Sequence, residues 1–391
     1  MCFESTKEKA PMAVTSSPVT REAKPERLLF IDNIRIFLTV LVILHHLMVI
    51  YAGSGSWIYN ENRQDGLTSM LGEWFCSLNQ SYFMGLFLFI SAYFVPGSYD
   101  RKGAGRFLMD RLIRLGIPLA AYAWIIRPLW IFYQWHILGS FSNWYADEYF
   151  SRYGYIGGGP LWFIEVLLIF ACFYALYRKF KPQPVQPIPD AQFPRDRVIV
   201  LFAFLLGIAS FIVRIWFPRD TTITELNLQL ANFPQYITLF ILGLMAYPRK
   251  WFAVLPDKTA RRWMIAALML SVLPLLVGFD KNPQADLVAN AVEGLISAWW
   301  ESFMCVAMCI SVVYIFRRYF NQQGQITAWH SRNAYTAYLI HEPVITAVAY
   351  AIRDITLYPL LKWALLALVA APLCFGLSSL IRKLPYAEKV L

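Results

Sequence analysis

Two ionisable side chains, Arg35 and His46, lie inside the first strongly apolar stretch of the chain, residues 34–51. They are eleven residues apart, and because each helical residue turns by about 100°, both would lie on one stripe of a helix. At a rise of about 1.5 Å per residue, His46 would lie roughly 16 Å beyond Arg35, near the middle of a hydrocarbon core of about 30 Å. Burying such groups in a membrane is costly, so the pair predicts a functional site with His46 as a base.

The side chains next to this pair leave two alternatives open. His45 is adjacent to His46 and would point about 100° away. The alignment with Arg35 favours His46, but the sequence alone does not fully decide between the two histidines. Asp32, three residues before Arg35, could pair with it at the start of the helix, where the helix dipole favours an anion. Asp32 is therefore a site candidate, and the alternative is an ion pair that only anchors the helix at the membrane surface.

Two further polar groups would lie at a depth similar to that of His46. Ser91 precedes Arg101 by ten residues and His341 follows Arg332 by nine, which gives depths of about 15 Å and about 13 Å. We therefore predict that Ser91 and His341 join His46 as catalytic candidates. The alternatives are a histidine that only bonds a neighbouring helix and a serine that bonds its own backbone.

A pair of arginines is a candidate for binding a substrate. Arg111 and Arg114 are three residues apart at the start of the third apolar segment, and two guanidinium groups one turn apart suit a phosphate-bearing ligand. The alternative is an anchor on the positively charged side of the membrane. Arg127 lies deeper in the same segment, and we predict Glu165 or Glu301 as its partner. Glu165 could instead position an acceptor hydroxyl.

The composition places these residues in a membrane protein. The chain has 391 residues, of which 58% are hydrophobic and only 15% are charged, whereas a soluble domain has about 25% charged residues. We predict an all-α fold, a polytopic membrane helix bundle of about ten transmembrane helices. The ten apolar segments are, approximately, 34–52, 75–95, 115–138, 160–178, 197–217, 233–248, 263–279, 288–316, 333–351 and 357–381.

The distribution of basic residues predicts the orientation. Most of the 35 lysines and arginines fall on alternate connections, and the positive-inside rule then places both termini in the cytoplasm. The net charge of +10 therefore indicates topology and some attraction to the lipid bilayer, and it does not indicate nucleic-acid binding. We expect a disordered cytoplasmic tail over 1–27 without a signal peptide, a transmembrane domain over 28–383 with a Pro-rich cytoplasmic linker at 181–196, and a cytoplasmic tail over 384–391.

Six short motifs follow one another along residues 27–383. They are Asp32-Asn-Ile-Arg35, the spacing from Arg35 to His46, the run from Phe87 through Ser91 to Phe94, Arg111-Leu-Ile-Arg114 with Pro118, Pro160-Leu-Trp162, and Tyr338-Leu-Ile-His341-Glu-Pro343. In this order they resemble the acyltransferase 3 family of integral-membrane acyltransferases. Trp57 and the segment 79–83 resemble a glucan-modifying branch of that family. The family's usual glycine after the serine of the second helix is Ala92 here, which is a departure from the pattern.

The resemblance implies transfer of an acyl group from a cytoplasmic donor, usually acyl-CoA, to a hydroxyl, commonly on a carbohydrate. His46 would act as general base or carry the acyl group itself. Arg35 would hold the donor or orient the site, and Arg111 and Arg114 would receive a CoA phosphate. Trp162 joins the substrate-binding candidates through its motif. We expect that the protein binds no metal or cofactor and uses acyl-CoA as a co-substrate. We also expect it to lie in the inner (plasma) membrane.

Two other classes of protein compete with this interpretation. Histidine and arginine in the middle of a membrane also suit a proton-coupled transporter. Against a transporter, the sequence shows neither an inverted repeat nor a pair of broken helices. A structural or sensory membrane protein would leave the polar groups at a shared depth unexplained. The sequence leaves open which acyl group is moved, which acceptor receives it, and the oligomeric state.

Overall fold

The computed structural model describes residues 27–52, 55, 57–61, 65–134, 139–154, 159–219, 221–223, 228–277 and 287–391. Apart from Arg27, the predicted disordered tail lies outside these residues. Within them, the long elements are all helices. They are α1 Leu29–Ala52, α2 Gly66–Tyr93, α3 Val95–Gln134, α4 Trp162–Phe180, α5 Asp196–Trp216, α6 Phe233–Arg249, α7 Asp257–Val277, α8 Leu287–Tyr319, α9 Gln325–Ala351 and α10 Pro359–Ile381.

These helices confirm the predicted all-α polytopic bundle. In the described part of the chain, nine helices are long and apolar enough to cross a membrane. The tenth predicted segment, 333–351, is also helical and forms most of α9. α9 is not one of the nine, and it contains Arg332, His341 and Glu342. These polar side chains are tolerated because α9 packs against α1 and α10 and not against lipid alone.

The helix that contains Arg35 and His46 lies in the centre of the bundle. α1 contacts α2, α8, α9 and α10. In its most apolar stretch, 67% of the residues are buried inside the protein, which is the highest fraction among the nine helices. Leu38, Leu47 and Ile50 on different sides of α1 are fully buried. A helix that is apolar all round belongs in the core of a bundle, so its few polar groups face other protein segments.

Connections that the charge pattern assigns to one side of the membrane contact one another. The side-chain amide of Asn33 donates to the carbonyl oxygens of Phe320 and Gln322, at 2.6 and 2.9 Å. Arg382 donates to the carbonyl oxygen of Arg332 at 2.6 Å. The start of α1, both ends of the α8–α9 connection and the end of α10 therefore lie at one end of the bundle, as alternating spans require.

The Pro-rich linker is held against that same end. Arg178, which is buried, donates to the Asp100 carboxylate at 2.6 Å and to the carbonyl oxygen of Gln183 at 2.9 Å. The backbone NH of Val185 donates to the other Asp100 oxygen at 3.0 Å, and that of Ile188 donates to Pro248 at 2.8 Å. The linker therefore follows the ends of the helices closely.

At the opposite end of the bundle, a capped helix start fixes the entry into α2. The Asp65 carboxylate accepts hydrogen bonds from the backbone NH of Thr68 at 2.9 Å and from the Tyr358 hydroxyl at 2.9 Å. The hydrogen bonds from Thr68 lower the pKa of Asp65. An aspartate at this position stabilises the free NH groups of the first helical turn, and the bond to Tyr358 ties the start of α2 to the start of α10.

Candidate active site

A large cavity lies between the helices and opens at the end where α2 begins. Its volume is about 1130 Å³, which is enough for a large polar ligand. The connections before α4 and after α5 contribute Arg152 and Gln229 to its rim. Deeper residues that matter for its chemistry come from six helices, namely His45, His46, Gln80, Arg127, Trp162, Tyr236, Tyr338 and Glu342.

His46 forms one corner of a cluster of three aromatic rings. Its imidazole is stacked on the Trp57 indole, with ring centroids 4.2 Å apart and planes at 24°. The His341 ring is also nearly parallel to that of His46, with centroids at 5.2 Å and planes at 24°. Trp57 and His341 are themselves 6.2 Å apart. The structure thus brings together the two histidines that the sequence placed at a similar depth.

The tautomer of His341 follows from its hydrogen bond. Its Nδ1 lies 2.5 Å from the carbonyl oxygen of Tyr338, and since a carbonyl oxygen only accepts, Nδ1 must bear the hydrogen. In the neutral ring, Nε2 then carries the lone pair. This Nε2 is buried and has no hydrogen-bond partner among the described residues. His341 therefore presents a fixed acceptor next to His46.

His45 and His46 also have buried nitrogen atoms. Nδ1 of each ring makes no hydrogen bond within the part of the chain that the structure describes. His45 packs on the Phe83 ring at 5.0 Å and meets His46 edge to face at 5.2 Å. Unpaired polar atoms are costly to bury. Among the described residues, two imidazoles in the cavity wall and the His341 ring behind them have nitrogens without a hydrogen-bond partner, which indicates a place where a polar ligand binds.

An ion pair between two helices forms another part of the cavity wall. The Arg127 guanidinium lies 3.5 Å from the Glu342 carboxylate, and the Tyr122 hydroxyl donates to the same carboxylate oxygen. The prediction that Glu165 or Glu301 pairs with Arg127 is therefore wrong. The physical reason is that all three carboxylates lie on other helices than Arg127, so the packing of the helices decides which of them faces it.

Glu301 instead binds two other arginines near the cavity mouth. Its carboxylate lies 2.5 Å from Arg214 and 2.7 Å from Arg219. Glu165 lies on α4 and is buried, and neither of its oxygens has a hydrogen-bond partner among the described residues. It is absent from the cavity lining, whereas Trp162 lines the cavity and stacks on Tyr236 at 5.2 Å and 24°. The structure thus brings Trp162, and not Glu165, to the cavity.

Gly159 lies directly against the ion pair. Its φ of +51° is in the left-handed region that favours glycine. A Cβ atom added there would be 2.8 Å from the Glu342 carboxylate and 3.0 Å from Arg127 Nε. The glycine therefore allows the chain before α4 to approach these two charged groups closely.

Ser91 is not brought to the cavity. Phe83 of α2 is level with His45, and Ser91 follows it by eight residues, which places it about 12 Å further along the helix. It lies in the last turn of α2, where its carbonyl oxygen accepts from the backbone NH of Phe94. The structure does not support grouping Ser91 with His46 and His341.

The predicted arginine site lies at the far end of α1 from the cavity. Arg35 pairs with Asp32 at 3.3 Å, as predicted, and its guanidinium lies 5.2 Å from the centre of the Phe94 ring. Arg111 lies over the Phe107 ring at 5.2 Å, and its buried Nε has no hydrogen-bond partner among the described residues.

Arg114 completes this arginine group. It is exposed and lies 3.6 Å from Asp110, while its carbonyl oxygen accepts from the Tyr335 hydroxyl at 2.5 Å. Arg35 and Arg114 both lie close enough to Arg111 for their positive charges to repel its guanidinium group. The three arginines form a positively charged group at one end of the bundle, and none of them lines the cavity.

Two residues at the site had no assigned role from their sequence context. Trp57 follows the end of α1 by five residues, and the chain turns back there so that its indole stacks on His46. Tyr236 faces Trp162, and the Gln80 side chain lies 3.5 Å from its hydroxyl. An aromatic residue in an apolar helix is ordinarily a packing residue, so no local signal distinguishes Tyr236 from its neighbours.

The comparisons with known proteins identify the class. Residues 28–381 match the acyltransferase domain of the acyltransferase 3 family, so the chain belongs to that family and is a multi-pass membrane acyltransferase. The resemblance seen in the motifs is confirmed. No solved structure gives a significant match.

Several similar proteins carry the same name. The chain is 24% identical over 330 residues to glucans biosynthesis protein C of Escherichia coli strain K12, covering 82% of each chain. The proteins of that name from Shigella dysenteriae serotype 1 and Escherichia coli O157:H7 are equally similar, at 24% identity and 82% coverage.

Proposed function

We propose that this protein transfers an acyl group from acyl-CoA on the cytoplasmic side to a hydroxyl of a carbohydrate that enters from the other side. The observation that carries the proposal is the cavity with His46 in its wall. It opens at the end of the bundle opposite the group of Arg35, Arg111 and Arg114. Donor and acceptor would therefore approach the histidines from opposite ends.

The arginine group supports the donor side of the proposal. CoA carries several phosphates, and guanidinium groups bind phosphates with paired hydrogen bonds. Arg114 is exposed, and Arg111 Nε has no hydrogen-bond partner among the described residues, so both retain hydrogen-bonding capacity. The positive-inside rule predicts that this end of the bundle faces the cytoplasm, where CoA is present.

The histidines support the chemistry. His46 would take the proton from the acceptor hydroxyl, and the alkoxide would attack the thioester carbonyl. The carbon–sulfur bond breaks, an ester forms, and CoA leaves as a thiolate that takes up the proton. His341 offers a second neutral imidazole with a fixed acceptor nitrogen.

The cavity wall and the names of the relatives support a carbohydrate acceptor. The stacked pair of Trp162 and Tyr236 presents aromatic surface, and Gln80 and Asn232 add amide groups to the lining. Aromatic rings combined with a few polar side chains suit a ligand that has apolar faces and many hydroxyls. Because the similar proteins are named for glucans, we propose a glucan as acceptor.

A sealed-vesicle assay tests this function. The purified protein is reconstituted in one orientation, with labelled acetyl-CoA or succinyl-CoA on the side of the linker 181–196 and linear glucan oligosaccharides on the other side. We expect covalent label in the oligosaccharide, and none when the two substrates exchange sides. Label that crosses the membrane without joining the oligosaccharide would contradict the proposal and favour a transporter.

The same assay tests the donor site. Replacing both Arg111 and Arg114 with Gln should raise the KM for acyl-CoA more than the KM for the oligosaccharide, because binding energy to the donor is lost. Replacing both with Lys should restore only part of the affinity, since Lys lacks the planar fork. The matched control is Arg106→Gln, which removes an exposed arginine from the same helix. An unchanged KM for acyl-CoA in the double Gln variant would show that these arginines are only membrane anchors.

A further inference from the structure

A short segment after α1 folds back along that helix and covers His46. The segment comprises residues 57–61, and we refer to it as the brace. At its far end, the backbone NH of Glu61 donates to the carbonyl oxygen of Ile50 at 2.9 Å. At its near end, the Trp57 indole covers one face of the His46 imidazole, with ring centroids 4.2 Å apart. The brace thus returns the chain to the helix that it has just left.

The Trp57 indole is anchored to α9. Its Nε1 donates to the Thr346 hydroxyl at 3.0 Å, and that hydroxyl donates to the carbonyl oxygen of Glu342 at 2.8 Å. Thr346 is fully buried. Because an indole has a single donor, this bond sets the direction of the ring plane that lies on His46.

A buried ion pair fastens the other end of the brace to α10. Lys362, only 1% exposed, places its Nζ 2.7 and 2.8 Å from the two oxygens of Glu61. The Tyr59 hydroxyl donates to the same carboxylate at 3.2 Å. A lysine can be buried in this way only if its partner carboxylate is held in place. The pair therefore holds the brace in position and adds no group to the cavity.

We propose that Trp57 is a positioning residue for His46, and that the pair of Glu61 and Lys362 holds the brace that carries it. Two rotatable bonds place an imidazole on a helix, and a base must be oriented within about 10–20° to work well. A flat indole fixed by one hydrogen bond restricts the plane of the ring that it covers. The inference rests on the proposed function in that it takes His46 as the base.

The test uses the full-length protein in lipid nanodiscs and two measurements. The first is the rate at which diethyl pyrocarbonate modifies His46, followed by mass spectrometry. The second is the kcat for transfer from acyl-CoA to the oligosaccharide. Trp57→Ala should speed modification of His46 severalfold, because one ring face is uncovered, and should lower kcat about 10²-fold with little change in the KM for acyl-CoA.

Two other variants check that the effect comes from ring position. Trp57→Phe keeps a ring but loses the bond to Thr346, so both measurements should fall between wild type and Trp57→Ala. The double variant Glu61→Gln with Lys362→Met removes both charges together and should change both measurements in the same direction as Trp57→Ala. Trp74→Ala is the matched control and should change neither measurement. Trp74 lies on α2, and its indole donates to the carbonyl oxygen of Ser271 on α7 at 2.7 Å, so this variant also loses a hydrogen-bonded indole.

Unchanged modification of His46 and unchanged kcat in Trp57→Ala would overturn the inference. If Trp57→Ala fails to fold, Trp57→Phe and Thr346→Val still test the anchored ring, and wild-type values in both would overturn it equally. A failure of the proposed function is seen separately. In that case the wild-type protein would transfer no label to the oligosaccharide, or His46→Ala would transfer as much as wild type, while the modification rate would still report whether Trp57 covers His46.

Discussion

Replacing His46 with alanine is expected to lower kcat by about 10²–10⁴-fold, the usual contribution of a general base. The imidazole lines the cavity, contacts His341 at 5.2 Å between ring centroids, and lies on the same stripe of α1 as Arg35. The protein should remain folded, because the alanine removes a half-buried ring whose Nδ1 makes no hydrogen bond within the described chain. The measurement is single-turnover transfer of label from acyl-CoA to the oligosaccharide, with the amount of monodisperse protein as a check on folding.

Two controls make this result interpretable. His45→Ala should have a milder effect, because His45 packs on Phe83 and lies edge to face with His46. His330→Ala changes a histidine near the other end of α9, beside Phe375, and should leave activity unchanged. Equal loss in the His45 and His46 variants, or full activity in His46→Ala, would show that His46 is not the base.

Removing the Glu342 carboxylate is expected to cause the largest loss of stability. Arg127 and Glu342 are both buried and lie 3.5 Å apart, so Glu342→Ala leaves a buried guanidinium without the carboxylate that faces it. Breaking a buried ion pair in this way costs about 3–5 kcal/mol. We expect a markedly lower thermal unfolding temperature in detergent and little active protein, measured by the fraction that stays monodisperse after heating.

The double variant Arg127→Met with Glu342→Gln separates charge from shape. Because it removes both charges, its thermal unfolding temperature should return most of the way to that of wild type. If catalysis needs the carboxylate itself, kcat will stay low in this stable double variant. A single Glu342→Ala variant as stable as wild type would contradict the expectation.

Gly159→Ala should disturb the same pair by a different route, because the new Cβ would lie 2.8 Å from the carboxylate in a backbone conformation that disfavours alanine. The matched control is Gly105→Ala, where an added Cβ meets nothing within 4 Å.

The part of the site on α1 could be predicted because it depends only on local regularities. A helix repeats its direction every 3.6 residues, so the spacing of Arg35 and His46 places them on one stripe whatever surrounds the helix. The pairing of Arg35 with Asp32 is equally local, since residues three apart on a helix are neighbours. The depth of His341 followed from its distance to Arg332, and the structure brings its ring to His46.

Two predictions about other helices, the depth of Ser91 and the partner of Arg127, do not agree with the structure. Ser91 has a suitable depth when counted from Arg101, but α2 ends at Tyr93 and a new helix begins at Val95, so a count along one continuous helix does not apply. For Arg127, the sequence offered several carboxylates on other helices and no local rule that chooses among them. The packing of α3 against α9 brings Glu342 to Arg127.

The sequence by itself determined that this protein is a helical membrane bundle, that α1 carries a cation and a base on one stripe, and that its motifs are those of an acyltransferase. Hydrophobicity and helical repeat are properties of neighbouring residues, so they can be read without a fold. Only the tertiary structure decided that Glu342 faces Arg127, that Trp57 covers His46, and that Lys362 holds Glu61. These contacts join segments far apart in sequence, where the packing of whole helices decides which polar groups meet.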